Sequence, residues 1–149
     1  DGSHTITINA SDNDGNAATT VSSTFTIDTV PPTLTISSPA AGLITNKAAL
    51  NVIGKTNDAT SSPITLTMTL NGTSLGTVTV GSDGSFTKAV TLAEGTNSIV
   101  VTAKDGAGQT TSITLSVKLD TTVPELKGIT LSPNPVSTSA SVAITVEVS

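Results

Sequence analysis

An all-β chain of tandem sandwich domains is what this sequence predicts, and three observations predict it. Polar and apolar residues alternate with period two along one stretch after another, and no stretch keeps a helical period. Thr, Ser, Val and Ile dominate, and β-branched side chains suit a pleated, half-buried surface. The opening "DGSHTITINASDNDGNAATTVSSTFTIDTVPP" returns as "EGTNSIVVTAKDGAGQTTSITLSVKLDTTVP".

The repeat sets the organisation. Gly2 meets Gly95, Ile6 meets Ile99, Ile8 meets Val101, Ala10 meets Ala103 and Asp12 meets Asp105, an offset of 93. One extra residue in the first copy makes it 92, so Phe25 meets Val117, Ile27 meets Leu119 and Asp28 meets Asp120. A period of this length implies an array of whole domains rather than a solenoid of short units. "PPTLTISSPAAG…AALNVIG" is echoed by "VPELKGITLSPNP…ASVAITVEV". The expected division is therefore residues 1–28 as the last strands of one domain, 29–119 as a complete domain and 120–149 as the first strands of a third. The linkers "DTVPP" and "DTTVP" are short, and proline makes them stiff by fixing φ and biasing the preceding residue to extended geometry.

The elements follow in order. Strands at 4–10 and 21–28 pair across "SDNDGN". In the complete unit the inward residues are Leu34 and Ile36; Leu50 and Val52; Ile64, Leu66, Met68 and Leu70; Val78 and Val80; Phe86, Val90 and Leu92; Ile99, Val101 and Ala103; and Ile113, Leu115, Val117 and Leu119. Thr65, Thr67 and Thr69 take the opposite face. Turn signals stand at "NGTS", "GSDGS", "EGTN" and "DGAGQ". Seven strands at this spacing read as an immunoglobulin-like sandwich. Lys88 breaks the pattern at inward parity; it reads as a bulge or as an edge strand guarded by lysine. The sharper alternative is an internal Lys–Asn crosslink, for which the sequence offers no identifiable partner.

The residues "TVPPTLTISSP", "TLNGTSLGTVTV", "DGSFTKAVTLAEGTNSIVVTAKDGAGQTT" and "LDTTVP" resemble the bacterial immunoglobulin-like repeats of large exported and cell-surface proteins. The nearest resemblance is to the module found beside secreted polysaccharide-degrading enzymes and in surface adhesins. Its pattern is a DG turn, a strand ending Leu92-x-x-Gly95-x-Asn97, a strand ending in Asp105 and a glycine-rich hairpin. The resemblance implies the fold; for function it implies little, since the module serves as a spacer in many unrelated proteins.

Composition narrows the function. The chain has 149 residues, no Cys, Trp or Tyr, two Phe and a net charge of −5. Six basic residues form no patch for phosphate, which argues against nucleic acid. No apolar run approaches the roughly 20 residues of a membrane span. With 36% hydrophobic residues, the core must be light and aliphatic. His4 falls opposite Asn97 within the alignment and has no second metal ligand in reach, so it reads as a surface residue. Without a base, a Ser–His–Asp arrangement cannot be assembled. The acids sit in turns and linkers rather than as a buried pair, and two Phe make a poor sugar platform. The chain is expected to be no enzyme.

Two motifs remain. Asp12, Asp14 and Asn16 alternate in the glycine turn "SDNDGN", gathering hard oxygen ligands of the kind calcium takes. Asp28 is a further ligand if the linker folds back. The competing reading is that Asp and Asn simply make the hairpin turn. A metal elsewhere would sit at the "DTVPP" or "DTTVP" junction. Asn9 in "NAS" and Asn71 in "NGT" fit the N-glycosylation pattern, which a Ser/Thr-rich chain also produces by chance.

The favoured expectation is a non-catalytic spacer or stalk of a long extracellular protein: an adhesin, sheath or fibre. Its partners are neighbouring repeats and, in a fibre or surface layer, other copies. The alternative is an accessory module of a secreted polysaccharide-degrading enzyme. The third is a filament subunit completed by strand addition.

Overall fold

A computed structural model describes residues 1–58, 62–132, 138, 141 and 143–148. They form twelve strands: β1 Gly2–Ile8, β2 Val21–Ile27, β3 Thr33–Ser38, β4 Ile44–Thr45, β5 Ala49–Asn57, β6 Thr65–Leu70, β7 Thr73–Val78, β8 Ser85–Thr91, β9 Gly95–Lys104, β10 Thr110–Leu119, β11 Leu126–Ser132 and β12 Ala143–Val148. No helix among the described residues is long and apolar enough to cross a membrane.

Two sheets build the central sandwich. One has the order β4-β10-β9-β6-β7, the other β3-β5-β8. Between them lie the alternate residues that the period-two pattern places inward. Val52, Ile99, Val101, Ala103 and Val117 are fully buried, with Leu66, Met68, Phe86 and Leu115 around them. Each large aliphatic side chain so buried contributes about 1.5–3 kcal/mol. A core without Trp or Tyr thus relies on many small contributions.

β4 is an addition to the seven strands expected. It is two residues long and pairs parallel to β10, Ile44 with Lys118 and Leu119 with Thr45. Two residues cannot display an alternation, so no sequence pattern marks them.

Local chemistry explains the corners. Asn71 and Gly72 join β6 to β7, both at positive φ (52° and 80°). A two-residue hairpin loop of this kind needs positive φ at both positions, which Asn-Gly tolerates best. Gly54 is needed within β5 because a Cβ there would lie 2.2 Å from the Thr35 carbonyl oxygen and 2.6 Å from the Phe86 ring. Lys88 lies half-buried on β8, an edge of the three-stranded sheet, in register with Val52. The edge-strand reading accounts for it: a lysine at an edge discourages pairing with another chain.

Asn97 is the one fully buried amide in the "Leu-x-x-Gly-x-Asn" stretch. Its Oδ1 accepts from the Ala93 amide nitrogen (2.9 Å) and from Asn71 Nδ2 (3.0 Å). Its Nδ2 donates to the carbonyls of Ala93 (2.7 Å) and Gly95 (3.0 Å). Asn71 Oδ1 in turn accepts from the Ser98 amide (2.8 Å). All of the buried amide's polar capacity is used, and the β8–β9 corner is tied to the β6–β7 turn.

The flanking hairpins repeat pieces of the sandwich. β1 pairs with β2 from Gly2↔Ile27 to Ile8↔Val21, and β9 pairs with β10 from Gly95↔Leu119 to Val101↔Ile113 in the equivalent register. β11 pairs with β12, antiparallel and with a bulge, as β3 pairs with β5. Burial differs: Ile8 is 63% exposed where its counterpart Val101 is 0% exposed.

Two outcomes test this core. Val101→Asp is expected to unfold the sandwich, because it strands a carboxylate among Ile99, Leu115 and Val117. Thr67→Asp, on the solvated face of β6, is expected to cost under about 1 kcal/mol. Thermal melts compare them, and equal losses would mean the faces are misassigned. Asn97→Leu is expected to cost several kcal/mol, of the order of 1–3 kcal/mol for each buried partner left unpaired, read as a lower denaturant midpoint at unchanged slope.

Candidate functional site at the first linker

Three chain segments meet where β2 passes into β3. The linker is anchored first. Pro32 is fully buried, and its carbonyl accepts a hydrogen bond from Thr111 Oγ1 of β10 at 2.6 Å. Thr33 then pairs with Asn57 of β5, and Thr56 Oγ1 donates to the Thr33 carbonyl at 2.7 Å. The residue after Asn57 is Asp58. Across the sandwich edge, Lys104 pairs with Thr110, and the turn between them begins with Asp105. Ordinary ladder pairing thus brings together Asp28, Asp58 and Asp105, each offering a carboxylate oxygen within 4.8 Å of the others.

Asp105 and Asp12 occupy equivalent turns with one difference. Each accepts, on Oδ1, the amide nitrogen four residues on: Gln109 at 2.8 Å and Asn16 at 2.8 Å. Each also exchanges backbone hydrogen bonds with residues three and four positions on. In the first turn, Asn16 Nδ2 donates to Asp12 Oδ2 at 2.8 Å. In the second, Gln109 stands where Asn16 stood, and Asp105 Oδ2 is buried with no hydrogen-bond partner. Asp105 as a whole is only 5% exposed.

Asp28 and Asp120 show the same contrast. Both accept, through Oδ1, the amide two residues on: Val30 at 3.1 Å and Thr122 at 3.3 Å. Asp120 Oδ2 meets Lys118 Nζ at 3.1 Å. Thr26 stands where Lys118 would be, and Asp28 Oδ2 is buried without a hydrogen-bond partner. Like charges about 4 Å apart repel by ~1 kcal/mol in bulk water and ~4 kcal/mol at the effective dielectric of a protein surface. Three ionised carboxylates this close to one another repel.

Asp28 alone of the residues singled out by sequence joins this cluster. Asp12, Asp14 and Asn16 stay in their own exposed turn, where Asp12 accepts from the Asp14 amide (3.0 Å) and from both nitrogens of Asn16. The sequence marks Asp105 only as the counterpart of Asp12 and the end of its strand, and Asp58 not at all, because neither sits in a spaced acidic motif. The alignment of Asp105 with Asp12 and of Gln109 with Asn16 held the available signal.

The linker is also clamped from the preceding hairpin. Thr29 donates to Asp1 through its amide nitrogen (3.0 Å) and hydroxyl (2.9 Å). At the second linker Thr121 donates to Glu94 through the same two groups, at 3.1 and 2.8 Å. Asp1 and Glu94 are equivalent in the repeat, as are Thr29 and Thr121. Asn71, in the "NGT" stretch, has its amide committed to Asn97 and Ser98; Asn9 accepts from Thr20 Oγ1 at 2.7 Å.

A two-sheet sandwich flanked by hairpins that repeat its own pieces belongs to the class of tandem immunoglobulin-like repeats. Residues 32–121, more than half of the chain, match the family described as glucodextranase, domain B, and the chain belongs to that family. No curated protein sequence gives a significant match. Among solved structures, the fold is similar to that of fibronectin(III)-like modules of Clostridium thermocellum CbhA. That match has a TM-score of 0.52 and 16% identity, over 80% of this chain and 63% of that one. It is also similar to a tetra-tandem repeat in the extending region of a large adhesion protein: TM-score 0.50, 22% identity, over 98% of this chain and 45% of that one. The chain thus spans less than two thirds of either structure, and at these identities the likeness speaks for fold alone.

Thr111→Val is expected to lower stability by roughly 1–2 kcal/mol, because it removes the partner of a buried carbonyl while keeping the side-chain shape. Faster hydrogen exchange at Thr33 and Thr111 would accompany it. Acid titration offers a second check. Hydrogen bonds from Asn16 to Asp12, and from Lys118 to Asp120, hold both carboxyls below the ordinary range. A depressed folded-state pKa contributes stability above the unfolded-state value, lost as pH falls through the folded one. Carboxyl-carbon NMR titration is expected to show Asn16→Ala moving the Asp12 midpoint upward while Asp120 stays in place.

Proposed function

We propose that this chain is a non-catalytic spacer segment of a long repetitive extracellular protein, such as an adhesin stalk, sheath or fibre. In this reading residues 29–119 are one complete repeat, 1–28 close the repeat before it and 120–149 open the next. The repeated linker clamp carries the reading. Asp1 with Thr29 and Glu94 with Thr121 fasten each linker to the hairpin it leaves. Thr111 with Pro32 fastens the first linker to the sandwich it enters. Linkers held in this way transmit orientation from one unit to the next, which is what a stalk requires. The exposed Thr-rich outer faces, such as Thr65 and Thr67 on β6, suit a solvated rod.

The second reading is an accessory module in a secreted polysaccharide-degrading enzyme. The match to domain B of glucodextranase favours it. In either setting the neighbouring repeats are the immediate partners; further copies enter only if the parent protein assembles into a fibre or surface layer.

Affinity electrophoresis separates the two. A spacer is expected to migrate unchanged through native gels containing dextran, starch or other soluble glucans. Retardation by any of them would sink the spacer reading and favour the accessory module.

A further inference from the structure

We propose that Asn71 is a modification site: its side-chain amide deamidates through the backbone of Gly72, its contacts with β9 guard it against that reaction, and the product unfastens the β8–β9 corner. Of the chain's asparagines only Asn71 is followed by glycine. Glycine has no side chain, so the attacking nitrogen is unobstructed. Asn71 and Gly72 are both exposed, so water reaches the turn.

The step balances within the chain and water. The Gly72 amide nitrogen loses its proton and bonds to Asn71 Cγ. The Cγ–Nδ2 bond breaks, and Nδ2 takes up the proton and leaves as ammonia. Water then opens the resulting five-membered imide at either carbonyl. One opening gives aspartate; the other gives isoaspartate, in which the main chain runs through the side-chain carbon.

The fold holds the reacting group away from that path. Asn71 Oδ1 accepts from the Ser98 amide at 2.8 Å, and Nδ2 donates to Asn97 Oδ1 at 3.0 Å. The Asn71 amide nitrogen also donates to the Ser98 carbonyl at 2.8 Å. Both ends of the carboxamide are thus held by β9, a strand paired on both sides. Ring closure swings Cγ onto the Gly72 nitrogen and gives up both side-chain bonds. One of the partners it abandons, Asn97, is fully buried, where an unmade hydrogen bond is costly.

The same contacts make the product disruptive. Deamidation replaces the Nδ2 donor with a carboxylate oxygen and sets it against Asn97 Oδ1, itself an acceptor. A carboxylate only accepts, so no proton lies between the two oxygens. Isoaspartate also lengthens by one carbon a two-residue loop whose ends, Leu70 and Thr73, are already paired. Asn97 Oδ1 is the acceptor for the Ala93 amide as well, so damage at the β6–β7 turn reaches the β8–β9 corner.

The test incubates the whole 149-residue chain at mildly alkaline pH, well below its melting temperature. Peptide mapping follows the gain of one mass unit and the appearance of isoaspartate. A synthetic peptide of residues 65–78, which lacks β9, is the unguarded reference. Modification is expected first at Asn71. It is expected to be slower in the folded chain than in the peptide by about tenfold or more, since two hydrogen bonds are given up before the ring closes. Asn97→Ala is expected to remove most of that protection. Thr111→Val, which weakens the sandwich away from this corner, is expected to leave it intact. Asn71→Asp reproduces one product and is expected to lower Tm and to speed hydrogen exchange at Ala93 and Ser98. If Asn97→Ala misfolds, the wild-type rate with and without guanidinium and the Asn71→Asp melt keep the test open. Earlier deamidation at another asparagine would overturn the proposal. So would equal rates in the folded chain and the peptide, equal rates in folded Asn97→Ala and Thr111→Val, or an unchanged melt for Asn71→Asp. The outcome is separate from the spacer reading, which glucan binding decides.

Discussion

The inward face of β9 is the line on which the rest of the structure depends. Asn97, Ile99, Val101, Ala103 and then Asp105 follow at alternate positions, all buried. β9 lies between β10 and β6, so its backbone is paired on both sides and only side chains remain to specify its surroundings. The three apolar residues press against the opposing sheet. The two polar ends do different work. Asn97 closes one corner with its amide fully hydrogen-bonded, whereas Asp105 brings a carboxylate to the other end with one oxygen uncommitted.

That asymmetry is physically coherent. A buried amide balances donors against acceptors and can be satisfied by nearby backbone. An ionised carboxylate only accepts, so it must find donors or a cation. The β9–β10 turn supplies an amide donor to Oδ1 and no side-chain donor to Oδ2. In the first hairpin Asn16, standing where the second has Gln109, closes the same geometry on itself. Small changes in turn residues thus separate a self-contained turn from one that leaves a carboxylate oxygen uncommitted, on an otherwise repeated scaffold.

The light core sets another constraint. With one buried Phe and no Trp or Tyr, the sandwich depends on faithful alternation along each strand, and on polar links at its margins. Thr111 to Pro32, Thr56 to Thr33 and the acid–threonine clamps all lie at ends of strands, where apolar burial gives out. Stability and linker geometry are then held by the same groups. The family match begins at Pro32, the first linker residue buried in the sandwich, and ends at Thr121, the residue held by Glu94.

The sequence by itself determined the strands, their faces and their repetition. Alternation is a local signal, and it placed Val101 inward and Thr67 outward without knowledge of any partner strand. The 93- and 92-residue offsets foretold the shared register of β1–β2 and β9–β10. Only the tertiary structure decided which carboxylates meet. Asp28, Asp58 and Asp105 are far apart in the chain, and their convergence follows from β3 pairing with β5 while Thr111 holds Pro32. The spaced acids Asp12 and Asp14 carried the visible motif, yet it is Asp28, from the linker, that the fold carries to the cluster. β4 was silent for the same reason, since two residues have no period and only the neighbouring β10 makes them a strand. Local pattern fixes where a side chain points; the pairing of distant strands fixes what it faces.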